Sequence, residues 1–131
     1  MKKKIICFDL DNVICSTKKN YYLKSKPKKK VIKLINYLYF NNFYIKIFTA
    51  RSMGRFNGNK IKVLRHIKKV TLQQLKTWNV KYHEVIFFKP SFDIYVDDKS
   101  LGHSSVNWPN HLIKKLRLNK NKIYEKNIKI Y

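Results

Sequence analysis

Only seven carboxylates occur in the 131 residues: Asp9, Asp11, Glu84, Asp93, Asp97, Asp98 and Glu125. Five of these seven fall in two short stretches, Asp9-Leu10-Asp11 and Asp93-Ile94-Tyr95-Val96-Asp97-Asp98. Both stretches are apolar runs that end in carboxylates. Neighbouring carboxylates repel one another, so a chain that clusters its few acids is expected to set a cation between them, and oxygen donors suit a divalent one. A carboxylate at the end of a buried strand, followed two residues later by another, suits attack on phosphorus. Asp9 would attack and carry an aspartyl-phosphate. Asp11 would protonate the leaving oxygen and then activate water, which calls for a raised pKa. Asp97 and Asp98 would complete a magnesium shell with Asp9 and Asp11, Asp11 through its backbone carbonyl; magnesium takes few carboxylates beside water and phosphate. Thr49 offers a hydroxyl and a backbone N–H to a transferring phosphoryl group, and Lys89 offers positive charge to the same oxygens and to Asp9. Asn12 and Arg51 are candidates for holding substrate phosphate.

These residues need elements to position them, and the apolar pattern supplies a set. Ile5-Ile6-Cys7-Phe8 is a short continuous apolar run, as in a strand buried on both faces, with Cys7 a buried small hydrophobe. Residues 15–27 read as a polar, basic loop. Over Lys28–Asn41 the positions Val31, Ile32, Leu34, Ile35, Leu38 and Tyr39 recur at helical spacing. Tyr44–Phe48 is a second strand. Residues 52–66 read as a loop or frayed helix, and Thr71 as the N-cap of a helix through Trp78. Glu84–Phe88 and Phe92–Val96 are third and fourth strands. Pro109 before His111–Leu118 marks a short C-terminal helix, and Lys122–Tyr131 is a fifth strand or a loose tail. Strand–helix alternation predicts an open, mostly parallel α/β sheet flanked by helices, Rossmann-like, over residues 1–118, with 119–131 as the C-terminal strand or tail. In such sheets the site lies at the carboxyl ends of the strands, where Asp9, Asp11, Thr49, Asp97 and Asp98 all fall.

Composition narrows the setting. Lys and Arg number 30 against the seven acids, for a net charge of +23. That balance suggests contact with polyanions. Lys outnumbers Arg 26 to 4, and Lys, Asn, Ile and Tyr dominate, the signature of an AT-rich coding sequence. Codon drift does not remove acids, since their codons are AT-rich too, so part of the charge is left for function. No run approaches the roughly 18 apolar residues of a membrane span. The apolar stretch behind Lys2-Lys3-Lys4 is too short for a signal peptide. Two cysteines, Cys7 and Cys15, make neither a disulfide framework nor a four-ligand zinc site. A reducing, cytoplasmic setting is the expectation. His83, Trp78 and Tyr82 read as packing residues, and His66, His103 and His111 as surface residues.

The pattern resembles the haloacid dehalogenase superfamily of phosphohydrolases. The residues that carry the resemblance are Ile6-Cys7-Phe8-Asp9-Leu10-Asp11-Asn12-Val13, Ile47-Phe48-Thr49-Ala50-Arg51, Lys89-Pro90 and Tyr95-Val96-Asp97-Asp98. They match that superfamily's four motifs in order, each behind an apolar strand, over residues 5–98. The stretch from Gln74 to Lys99 is similar to a subgroup of small phosphatases associated with bacterial capsule or surface-polysaccharide synthesis. One departure is Asn12-Val13, where the superfamily often has Gly-Thr. The resemblance implies the aspartyl-phosphate route, magnesium and a sheet of that superfamily's type. Neither Asp11–Thr49 nor Thr49–Lys89 leaves room for a folded cap domain, which needs about 50 residues. The site should be open, flanked by the basic stretches Lys18–Lys30 and Arg51–Lys69. Capless members act on large or polymeric phosphorylated substrates or close the site by forming dimers. Three functions follow as expectations: a phosphomonoesterase for a sugar phosphate or polysaccharide precursor; a 3′-phosphatase of nucleic-acid ends; or a non-catalytic protein that binds nucleic acid or another anion.

Overall fold

The computed structural model describes residues 2–102 and 107–125. Strand β1 spans Lys4–Asp9, and a small antiparallel hairpin follows, β2 (Cys15–Ser16) pairing with β3 (Lys26–Pro27) around a short 3-10 turn at Tyr22–Lys24. Helix α1 (Lys29–Phe40) leads to β4 (Phe43–Phe48), α2 (Lys60–Thr77) leads to β5 (Glu84–Ile86), and α3 (Trp108–Lys115) and α4 (Lys120–Tyr124) close the described chain. The three longer strands form a parallel sheet in the order β1-β4-β5. The protein is thus a small α/β fold, a parallel three-stranded sheet flanked by helices. Parallel neighbours require crossovers, and α1 and α2 supply them.

Each helix forms because one face is apolar. On α1 the residues Val31, Ile32, Leu34, Ile35 and Leu38 are buried, packed with Ile45 and Ile47 of β4 and with Ile123 of α4. Asn36 is buried on the same helix, and its amide is bonded at both ends: Nδ2 donates to the Asn79 carbonyl and Oδ1 accepts from the Lys81 N–H. That pair fixes the turn between α2 and β5. On α2 the buried residues are Val63, Ile67, Thr71 and Leu75, one row at every fourth position.

The strand ends set the register of the site. Asp9 pairs with Phe48 across β1 and β4, so Thr49 lies one residue beyond the same level. The Thr49 N–H donates to the Ile86 carbonyl, and the Lys89 N–H donates to the Thr49 carbonyl. The carboxyl ends of three adjacent strands therefore present Asp9, Thr49 and Lys89 side by side.

Several expectations are corrected. Helix α2 starts at Lys60, capped by Asn59, whose side chain accepts from the Lys62 N–H. Thr71 is in its interior, its hydroxyl accepting from Arg51. The sparse row of apolar residues among many bases hid the first half of this helix. The basic stretch 18–30 is largely hairpin. Strand β1 is an edge strand with alternating burial, so Ile5 is 51% exposed and Cys7 is exposed rather than buried. Phe92–Val96 forms no strand, and every residue from Ser91 to Gly102 is exposed, without helix or strand. Residues 120–124 are helical, while 126–131 and His103 lie outside the described residues.

Candidate functional site

Asp9 stands at the carboxyl end of β1, half-buried. Its Oδ1 accepts from the Leu10 N–H at 2.9 Å and its Oδ2 lies 3.5 Å from Lys89 Nζ. Burial pushes its pKa above the usual carboxylate value; the neighbouring Lys89 ammonium and the Leu10 N–H act against that rise. This is the setting of a carboxylate with few hydration partners and one adjacent cation.

Asp11 is held by a buried arginine. Arg51 Nε reaches Asp11 Oδ1 and Oδ2 at 3.1 and 3.0 Å, and Arg51 Nη2 reaches Oδ1 at 2.9 Å. The Thr17 hydroxyl donates to the same oxygen at 2.6 Å. Arg51 is only 1% exposed. Its Nη1 donates to Thr71 Oγ1 and Gln74 Oε1 on α2, its Nη2 reaches Ser25 Oγ, and its guanidinium lies 4.9 Å over the Tyr22 ring. A planar, always-charged fork suits such a buried junction. One side chain thereby ties the β1 turn, the hairpin and α2 together. Arg51 was expected at substrate phosphate; with its donors spent inside the protein, it positions Asp11 instead. Nothing in the sequence spacing separates those two uses of an arginine.

Thr49 and Asn12 also serve the backbone. Thr49 is fully buried, and its Oγ1 accepts from the Arg51 N–H at 3.1 Å. With its N–H spent on Ile86, it shapes the turn rather than presenting an N–H to substrate. Asn12 sits at φ 64°, a left-handed conformation that glycine takes freely and asparagine more readily than other residues. Its Oδ1 accepts from the Thr17 N–H, closing the turn after Asp9. That accounts for asparagine where the resembling family often has glycine.

Asp97 and Asp98 are on the exposed 91–102 segment. Hydrogen bonds from the Lys99 N–H and the Tyr95 hydroxyl hold the Asp97 carboxyl below its usual pKa, and the Tyr95 hydroxyl is raised in return. The segment touches the strand ends through Lys89, whose ammonium lies 5.4 Å from the Phe92 ring centre and 5.7 Å from that of Tyr95. Among the described residues, no three His, Cys, Asp or Glu side chains meet where one metal ion could bind them together. The three carboxylates expected at magnesium, Asp9, Asp97 and Asp98, are thus not gathered: Asp9 pairs with Lys89, and Asp97 faces its own loop.

Other residues fall as expected. His83 stacks between Tyr39 and Tyr44, with ring centres 4.5 and 4.4 Å away, while Trp78 and Tyr82 pack on the core. Cys15 is buried beside Asp11 and Arg51, and burial raises its thiol pKa. Sequence reasoning missed a cavity of about 460 Å³ beside the strand ends, lined by Asn20, Tyr22, Ser52, Arg55, His66 and Ser91 among others. A signal existed: two of the four arginines, Arg51 and Arg55, stand in the one turn after β4.

No protein-family model and no curated protein matches the chain. Among solved structures, a crystal structure of a structural-genomics target from Vibrio cholerae is similar, with a TM-score of 0.74 and 25% identity, covering 93% of this chain and 94% of that one. A chain of an RNA repair complex aligns more distantly, with a TM-score of 0.48 and 11% identity, over 91% of this chain and 33% of that one. No described helix is long and apolar enough to cross a membrane.

Proposed function

We propose that the protein is a phosphomonoesterase of the haloacid dehalogenase type, working through an aspartyl-phosphate on Asp9. The observation that carries this reading is the placing of Asp9, Thr49 and Lys89 at three adjacent strand ends, with Lys89 Nζ 3.5 Å from Asp9 Oδ2. An Asp9 oxygen attacks phosphorus as the bond to the leaving oxygen breaks. Lys89 offsets the negative charge that builds on the phosphoryl oxygens. Asp11 passes a proton to the leaving oxygen and takes one from the water that frees phosphate, and Arg51 fixes the orientation in which it does so. The motif resemblance implies magnesium, which would stabilise charge on the phosphoryl group. The carboxylates as they stand do not assemble its shell, so the steps here rest on the chain's own residues. A sugar phosphate or a surface-polysaccharide precursor fits the motif resemblance between Gln74 and Lys99.

A second reading, an end phosphatase for nucleic acid, rests on the +23 charge and on the exposed face of α2, where Lys62, Arg65, Lys69 and Lys76 form a basic row. One experiment addresses both. Phosphate release is measured from sugar phosphates, an aryl phosphate, and 3′- and 5′-phosphorylated oligonucleotides, with magnesium or a chelator, for the native chain and Asp9→Asn. Release that requires Asp9 supports the enzyme, and the preferred substrate chooses the reading. A folded native chain that releases phosphate from none of them refutes it.

A further inference from the structure

The cavity beside the strand ends is unused by the steps above. Ala50 and Ser52 stand one and three residues past Thr49, and Ser91 two past Lys89, so its lining is drawn in part from the segments that follow β4 and β5. Its lining contains an arginine and no carboxylate, which favours an anion over a neutral polyol.

The lining is organised by a directed chain of hydrogen bonds. Arg55 can only donate, so its Nη1, 3.4 Å from His66 Nε2, makes that nitrogen the acceptor. His66 Nδ1 then carries the proton and donates to Ser52 Oγ at 2.9 Å. The Ser52 hydroxyl proton is left to donate to a ligand. Ser52 is 3% exposed and held at φ 63°, its N–H donating to the Tyr22 hydroxyl, which in turn donates to Asn20 Oδ1. The Tyr22 ring is pinned by Arg51 from below. A buried serine in a left-handed conformation, oriented by histidine and tyrosine beside an exposed arginine, is a preformed set of donors. A second hollow, lined by Arg65, His66, Lys69, Val70 and Gln73, continues from His66 along α2.

We propose that this cavity is a subsite for a second phosphate group of the substrate, bound by Arg55 and the Ser52 hydroxyl and oriented by His66, while the phosphate to be removed meets Asp9. The proposal rests on the phosphatase reading for its place in catalysis but not for its binding chemistry. A nucleoside 3′,5′-bisphosphate, a short oligonucleotide and a hexose bisphosphate all offer that second phosphate.

The test uses the whole chain. Calorimetry on Asp9→Asn compares each of the three ligands with the matching monophosphate, and turnover is followed in the native protein. The second phosphate is expected to tighten binding about tenfold or more. Arg55→Ala, an exposed position, should reduce that advantage to about twofold while monophosphate binding holds. Ser52→Ala should weaken it in part, and Arg55→Lys should restore some of it. Equal binding of mono- and bisphosphates in Asp9→Asn, or equal weakening of both by Arg55→Ala, overturns the subsite. Preference for the second phosphate without phosphate release from any substrate upholds the subsite and refutes the phosphatase reading. Which of the three ligands binds tightest separates a nucleic-acid source from a sugar source.

Discussion

Two regions carry five of the seven acids, and they are built in opposite ways. At the ends of β1 and β4, Asp9 and Asp11 are fixed by burial: apolar neighbours hold the strand ends, and Arg51 and Lys89 neutralise what is buried. In the 91–102 segment, Asp97 and Asp98 sit among side chains that are largely open to solvent. Ile94 is 82% exposed and Val96 90% exposed. The lesson is that a carboxylate gains a fixed place from the packing behind it, not from the apolar run before it. Phe92–Val96 has a strand's residues, yet among the described residues no strand pairs with it, and none pairs with the outer edge of β1.

The largest contrast should appear in activity. Asp9→Asn is expected to lower phosphate release by at least about 1,000-fold, as removal of a nucleophile does, with an unchanged melting transition. A residual rate within tenfold of the native one would move the chemistry out of the packed region. Lys89→Ala should cost a smaller factor and move the acid limb of the pH–rate profile upward. The sign follows from Asp9: burial already raises its pKa, Lys89 opposes the rise, and removing Lys89 lets it climb further. An acid limb that stays in place would show that Lys89 does not act on Asp9.

Stability should separate the regions as well. Arg51→Met strands Asp11 and empties the junction between hairpin and helix, and denaturant unfolding should show a loss of about 3–5 kcal/mol. A loss below 1 kcal/mol would mean that this pair does not hold the packed region together. His83 gives a weaker, pH-dependent effect. Burial first, and then Lys3, lower its pKa, and its Nδ1 accepts from the Ile45 N–H at 3.0 Å. A depressed folded pKa means stability that is full above the unfolded value near 6.5 and lost as pH falls through the folded value. Melting measured from pH 7.5 to 5 should therefore fall, and His83→Gln should flatten the fall. At the small end, Val96→Ser should change stability by less than about 0.5 kcal/mol, because the side chain is already in water. A larger loss would show that the segment packs after all.

Much of the packed region was legible in the sequence. The apolar runs marked β1, α1 and β4 to within a residue or two; the strand-end rule placed Asp9, Asp11 and Thr49 correctly, but not Asp97 and Asp98, which lie on the exposed segment. Three things were not legible. The length of α2 was hidden because one buried row, Val63 to Leu75, supports a helix whose first half is otherwise crowded with bases. The uses of Arg51 and Thr49 were hidden because a motif shows which residue stands at a turn, not which way its donors point. The exposure of 91–102 was hidden because periodicity reports what a segment could bury, not whether a partner covers it. The donor chain from Arg55 through His66 to Ser52 crosses from the turn after β4 to the middle of α2, and no local spacing announces it.

The central claim is that Asp9 takes the phosphoryl group. The direct test is rapid acid quench of the native chain turning over a phosphorylated substrate, followed by peptide mass spectrometry. The account expects a phosphoryl adduct on the peptide that contains Asp9, and no adduct in Asp9→Asn. Phosphate release without that adduct, or an adduct on another residue, would contradict it.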